Sequence, residues 1–262
     1  MSLLPPKARH YYEPFVGGGA LFFALSPKAR QSTLSDSNEE LVNCYLQVAQ
    51  HPKALIDCLC KLTHSESNYY RIRKETPSNA MARAVRFIYL NKTCWNGLYR
   101  VNDEGTFNVP VGRFERGPII CQPEQILKAS SLLEGTKVHC CDFEEAVADA
   151  DCGDFVYFDP PYVAKHDNNG FKKYNERVFS WNDQERLARL SEDLKQRRVF
   201  VMISNSSNDD ILNLYEGFYK YFVQRHSVIS GLPSGRSLVS EVIMTSYGPP
   251  NLRDLPNTWR FD

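Results

Sequence analysis

Short apolar runs separated by helical stretches set the first expectation. YYEPFV at 11–16 reads as a short buried strand running into Gly17, Gly18 and Gly19, and ALFFAL behind it has helical character. STLS at 32–35 reads as a second strand that ends at Asp36. Asp36 or Ser37 is expected to cap NEELVNCYLQVAQ, where Leu41, Tyr45 and Val48 share one helical face. This strand–helix–strand opening predicts an α/β domain. KVHCCD (137–142), DFVYFD (154–159) and VFVMIS (199–204) continue it as strands, with a helix over 183–197. YKYFVQ and SEVIMTSY then close as an antiparallel pair around GLPSGRS.

Between these segments the pattern changes. Helical stretches near 80–91 give way to KTCWNGLYRVNDEGTFNVPVGRF, rich in Asn, Gly, Arg and aromatics. The expected organisation is one α/β domain built from 1–57 and 123–262, interrupted by a small, mostly helical insert over 58–122. Charge sharpens that division. Lys plus Arg and Asp plus Glu both total 31 over the 262 residues, which excludes a protein held to nucleic acid by bulk positive charge. Residues 61–116 nevertheless carry ten Lys and Arg against five Asp and Glu, so the neutral whole conceals a basic part. No apolar run reaches the ~20 residues of a membrane span, and no leader pattern opens the chain, so a cytoplasmic protein is expected. The eight cysteines show no C-x-x-C and no paired spacing with histidine, which argues against a zinc site; they are expected to be reduced, mostly buried and without chemistry.

Two segments carry candidate chemistry. The glycine turn at 17–19 lets a ligand approach the backbone, and Asp36 at the tip of the next strand can accept hydrogen bonds from a ribose. Alone this is weak, because the dinucleotide fingerprint wants a third glycine where Phe22 stands, and a purely structural turn fits equally well. Asp159-Pro160-Pro161-Tyr162 is sharper. It follows FVYF directly, at the carboxyl end of a strand, where open α/β sheets bind ligands. Two prolines stiffen the backbone, so the segment presents a carboxylate, a carbonyl and an aromatic face on a rigid ledge. An exocyclic amine on a planar base, with two N–H donors, matches that set.

Together, DPPY, EPFVGGG and the FIYLNKTCWNGLYRVNDEGTFNVPVGRF block resemble the Dam-type DNA adenine-N6 methyltransferases. The Phe171/Tyr174/Phe179 spacing and the final SEVIMTSY strand extend the resemblance from about Tyr12 to Gly248. It implies a Rossmann-like methyltransferase sheet with a closing antiparallel strand, acting as a monomer on double-stranded DNA, away from membranes, without a metal. S-adenosylmethionine would be the donor, bound by Phe15, Gly17 and Gly19, with Asp36 on its ribose and Asp142 and Phe143 at its adenine. Asp159 and the Pro160 carbonyl would accept from the target amine, with Pro161 stiffening the ledge and Tyr162 stacking on a flipped base. In the insert, Trp95 takes the place of a residue that wedges into the base stack. Asn96, Leu98, Arg100 and Pro110 take the places that read GATC, Arg suiting a guanine edge and Leu or Pro a thymine methyl.

The same ledge could serve cytosine N4 or a base in structured RNA. Cytosine carbon-5 chemistry needs a Pro-Cys nucleophile, whereas Cys121-Gln122-Pro123 runs in the wrong order. No Gly-Lys-Ser/Thr phosphate loop follows the glycines, and the histidines have no triad spacing. Family members usually open with FxxWAGGK, which covers the donor; MSLLPPKARHYYEPF has no match to it. That departure leads to the expectation of weak donor binding and slow turnover, or of a DNA-binding protein of methylase fold.

Overall fold

The computed structural model describes residues 3–5, 7–25, 31–102, 104–162, 179–226 and 238–249. Among these residues, seven strands form one sheet in the order β3-β2-β1-β4-β5-β7-β6. These are β1 (His10–Glu13), β2 (Gln31–Asp36), β3 (Lys137–Cys140), β4 (Phe155–Phe158), β5 (Phe200–Ser206), β6 (Tyr219–His226) and β7 (Leu238–Thr245). The 3-2-1-4-5 run is that of doubly wound dinucleotide-binding sheets. Strand β1 pairs in parallel with β2 and β4, and β4 with β5, while β7 runs antiparallel between β5 and β6. The closing antiparallel pair is therefore present. Its GLPSGRS connection, like Phe171 and Tyr174, lies outside the described residues.

The chain divides into two compact units, Met1–Ser37 with Cys141–Asp262, and Asn38–Cys140. The division falls outside the 58–122 expected for the insert. Helix α2 (Glu39–Gln50) packs with α5 (Ala80–Thr93) and α6 (Pro123–Leu133), so it groups with the helices rather than with the strands before it.

In the first unit, the central strands are apolar on both faces, as helix-covered parallel strands must be. Val156, Phe158, Val201 and Ile203 are fully buried with Leu187 and Leu194 of α8 (Trp181–Gln196). Helix α8 starts at a capping box in which Ser180 and Asp183 satisfy each other's amides. Phe22, in α1 (Ala20–Leu25), is 1% exposed. The missing third glycine is thus a core side chain.

Apart from β3, the second unit's regular elements are helices. Asn38 caps α2 by accepting from the Glu40 and Leu41 amides at 3.1 and 3.3 Å, which corrects the expected Asp36 or Ser37 cap. Pro52 opens α3 (Pro52–Leu59), Ser65 caps α4 (Glu66–Lys74) and Asn79 caps α5. Leu55, Leu59 and Ala84 form one buried cluster, and Tyr69, Ile72, Tyr89, Leu90 and Cys94 form another with Phe107 and Val109.

The cysteines correct an expectation. Only Cys94 is buried; Cys60, Cys140 and Cys152 are exposed and the other four intermediate. They stand at a helix end (Cys60), on a sheet-edge strand (Cys140) and in a turn (Cys152), positions that interior burial does not reach. Among the described residues, no helix is long and apolar enough to cross a membrane.

Candidate active site

Strand β1 ends at Glu13, and Pro14 and Phe15 turn the chain into the glycines. The Val16 amide donates to the Ser35 carbonyl at 3.0 Å and the Gly17 amide to Asp36 Oδ2 at 3.1 Å. Gly17 and Gly19 hold φ of +46° and +64°, the left-handed conformation that a side chain resists. The turn thereby ties the carboxyl ends of β1 and β2 together. Asp36, not needed as a helix cap, faces the turn instead.

A cavity of about 370 Å³ opens at these strand ends. Phe15, Gly17, Asp36, Asp142, Phe143, Asp159, Pro160 and Pro161 line it, so the structure brings together eight of the ten candidates from the two motifs and the Asp142–Phe143 pair. Gly19 and Tyr162 are not among its lining residues. Gly19 closes the turn by donating to the Val16 carbonyl, and the Tyr162 hydroxyl is 3.2 Å from Ser204 Oγ on β5. The cavity's size is ordinary for a small-molecule site.

Aromatic rings and carboxylates share its walls. Phe15 stacks on Phe143 at 5.4 Å between centroids and meets Phe179 edge-on at the same distance. Asp142 caps α7 (Phe143–Ala146) through the Glu144 amide and accepts from Arg186, both through Oδ1. Arg186 also pairs with Glu144 and Asp183 at 2.9 Å and lies 4.7 Å over the Phe143 ring. One guanidinium therefore fixes the adjacent Asp142 and Phe143. Burial pushes the Asp183 carboxyl up, but hydrogen bonds from Ser180 and Arg186 outweigh it and hold it below its usual range. Arg186 was not singled out in the sequence because nothing local distinguishes it from a surface helix arginine.

A second unforeseen group supports the proline ledge. Gln184 and Asn205 are both fully buried. The Ser206 amide donates to Asn205 Oδ1 at 2.8 Å, which turns Asn205 Nδ2 toward Gln184 Oε1 at 3.1 Å. Gln184 Nε2 is then left to donate to the Pro161 carbonyl at 3.4 Å. One backbone amide thus sets the orientation of two side-chain amides and reaches the ledge through them.

Glu13 is the third. It is 2% exposed and accepts from the Tyr11 hydroxyl at 2.8 Å. Burial pushes its carboxyl up to about 7, against the hydrogen bonds from Tyr11 and the Phe22 amide, with the Asp159 charge adding to the rise. Between about pH 4.5 and 7 the folded chain keeps a proton that the unfolded chain has released, so this contribution to stability is full at acid pH and lost as pH rises through 7. Glu13→Gln cannot ionise, and the Tyr11 hydroxyl can turn to accept from its amide. We expect the variant to be about 1–2 kcal/mol more stable than the parent at pH 8, with the gap closing toward pH 4.5. Urea midpoints across that range check it; parallel curves for the two proteins would refute it.

In the second unit, Trp95–Gly97 is a single 3-10 turn after α5. Asn96 and Gly97 adopt φ of +52° and +63°, and Trp95 is 41% exposed. The Trp95 amide donates to the Pro110 carbonyl at 2.9 Å, and the Asn108 amide to the Arg100 carbonyl at 3.0 Å. Arg100 is exposed, and its Nε donates to Asn108 Oδ1 at 2.8 Å. Leu98 packs in part against the helical core. Tyr69 and Arg73 of α4 both donate to the Val109 carbonyl, anchoring the returning segment. All five insert candidates therefore sit on one folded-back loop.

Known proteins place the chain in a family. The model of the D12 class N6 adenine-specific DNA methyltransferases matches residues 1–229. The type II methyltransferase M1.LlaDCHI of Lactococcus lactis subsp. cremoris is 38% identical over 256 residues, 94% of this chain and 89% of its own. The type II methyltransferase M.MjaIII of Methanocaldococcus jannaschii is 40% identical over 227 residues, 80% of this chain and 78% of its own. The DNA adenine methylase of Vibrio cholerae is 33% identical over 245 residues, 91% and 87% of the two chains. The match spans the glycine turn, the insert and the proline ledge, and the chain belongs to the D12 class of N6 adenine-specific DNA methyltransferases.

Proposed function

We propose that this adenine-specific DNA methyltransferase takes its methyl group from S-adenosylmethionine and delivers it to an adenine flipped out of duplex DNA, within GATC. The observation that carries the proposal is the cavity shared by the glycine turn, Asp36, Asp142 and the Asp159–Pro161 ledge. Its lining fits the donor chemically. Carboxylates suit the donor's hydroxyls, amines and positive charge, and the Phe15–Phe143 pair suits a planar base. When bound, S-adenosylmethionine supplies a methyl group activated by a sulfonium.

The chain's own part is orientation and charge. Asp159 and the Pro160 carbonyl accept the two N–H bonds of the target amine, which draws the nitrogen toward a tetrahedral form and turns its lone pair to the methyl. Pro161 keeps that carbonyl in place, its own carbonyl held by Gln184. Tyr162, its hydroxyl against Ser204, offers a fixed ring for the base to stack on. A duplex hides the adenine amine, so the base must leave the stack, and the exposed Trp95 is suited to fill the disturbed step. Asn96, Leu98, Arg100 and Pro110 would read the neighbouring pairs.

Incubation with S-adenosylmethionine and unmethylated plasmid, followed by endonucleases sensitive to GATC adenine methylation, tests the site. Base analysis of labelled product separates N6-methyladenine from N4-methylcytosine. Protection at another sequence would retain the chemistry and reject GATC; absence of labelled adenine would reject the proposal. Arg100→Ala is expected to relax discrimination at one guanine by roughly 1–3 kcal/mol. Binding measured on single-substituted duplexes shows it. A uniform loss on every sequence, with a shallower salt slope, would make Arg100 a phosphate contact instead.

A further inference from the structure

Cys60 stands at the C-terminal end of α3 and is exposed; Cys121 lies just ahead of α6, half-buried against the Leu55, Leu59 and Ala84 cluster. They are 61 residues apart in sequence, yet their Sγ atoms are 2.7 Å apart. The backbone holds them there. The Cys60 amide donates to the Ile56 carbonyl at 2.9 Å, and Cys121 Sγ lies 3.8 Å from the same oxygen. Both residues are therefore referred to one turn of α3, and no large movement separates two thiols from a bond.

We propose that Cys60 and Cys121 form a thiol–disulfide exchange site that takes low-molecular-weight disulfides such as glutathione disulfide and closes to an intramolecular disulfide. The exposed Cys60 thiolate attacks one sulfur of the reagent; a Cys60–glutathione bond forms and one glutathione thiolate leaves. The Cys121 sulfur, losing its proton to solvent, attacks the Cys60 sulfur, and the second glutathione thiolate leaves. Two protein thiols lose two electrons, glutathione disulfide gains them, and the two protein protons end on two glutathiones. Burial and the neighbouring Cys60 sulfur push the Cys121 thiol up to about 11, which fits it to resolve rather than to attack first. Closure encloses 61–120, the stretch that carries Trp95, Asn96, Leu98, Arg100 and Pro110. Such a link restricts the unfolded chain more than the folded one.

The test uses the whole folded protein, treated with glutathione disulfide, alkylated and mapped by mass spectrometry. The expected product is a peptide pair joined through Cys60 and Cys121, reversed by dithiothreitol, with a thermal midpoint several degrees above that of the reduced protein. Cys121→Ser should stop at a glutathione adduct on Cys60, and Cys60→Ser should leave Cys121 unmodified. A glutathione adduct that persists on Cys60 in the parent while Cys121 stays alkylatable would overturn the proposal. So would alkylation of both thiols after treatment as complete as before it.

Discussion

Asp159→Ala is expected to lower methyl transfer by more than a hundredfold while leaving duplex affinity within about tenfold. The loss corresponds to about 2.7 kcal/mol or more of transition-state stabilisation. In the proposed reaction the carboxylate acts on the amine of the target base and not on the duplex, so the two measurements should separate. Asp159 is exposed at the end of β4, just beyond the fully buried Phe158, so removing its side chain leaves the core intact. Single-turnover transfer and equilibrium DNA binding on the same preparation decide the matter. A variant retaining more than about a tenth of parental turnover, a loss of only ~1.4 kcal/mol, would remove Asp159 from the role assigned to it.

Gly112→Ala should destabilise the helical unit by about 3 kcal/mol, near the upper end for an overpacked site. The requirement is space. A Cβ at Gly112 would lie 2.6 Å from the Cys94 carbonyl oxygen and 2.7 Å from the Phe114 ring. Phe114 is 40% exposed and can swing aside, but the Cys94 carbonyl belongs to the backbone at the end of α5. The Gly112 amide also donates to the Thr93 carbonyl at 2.8 Å, and Cys94 bridges Val111, so the chain cannot retreat without losing the closure of the loop. Sequence discrimination on DNA should fall with it. Binding of the demethylated form of the proposed donor should stay unchanged, because Gly112 and the cavity belong to different units. Denaturant unfolding followed by tryptophan fluorescence, with calorimetric titration of S-adenosylhomocysteine, gives both readouts. A parental midpoint would show that the close approach relaxes at little cost.

The places where sequence and structure part company have a common cause. Asp36 and Asn38 are both good helix caps by type, and only the packing of the glycine turn against β2 decides that Asp36 serves Gly17 while Asn38 serves α2. Leu41, Tyr45 and Val48 share one face of α2 by their spacing; Tyr45 is buried and Val48 packs against the Leu55 cluster, but Val42, outside that set, is buried as well. Periodicity finds a face but not the neighbour that covers it. The cysteines departed further, because their burial depends on where each element ends and not on the residue's own preference for the interior.

Local pattern and motif by themselves determined the alternation of strands and helices, the glycine turn at the end of β1, the ledge at the end of β4 and the family to which they belong. Each is a property of a few consecutive residues: side-chain period, a proline's fixed φ, a glycine's missing Cβ. Only the tertiary structure decided that Phe22 is core, that Arg186 reaches back to Asp142 and Phe143, and that Gln184 and Asn205 hold Pro161. It also decided that Glu13 loses its water beside Asp159 and that Cys60 meets Cys121. These contacts join residues far apart along the chain. Their strength comes from burial and hydrogen-bond geometry that exist only once separate segments have packed.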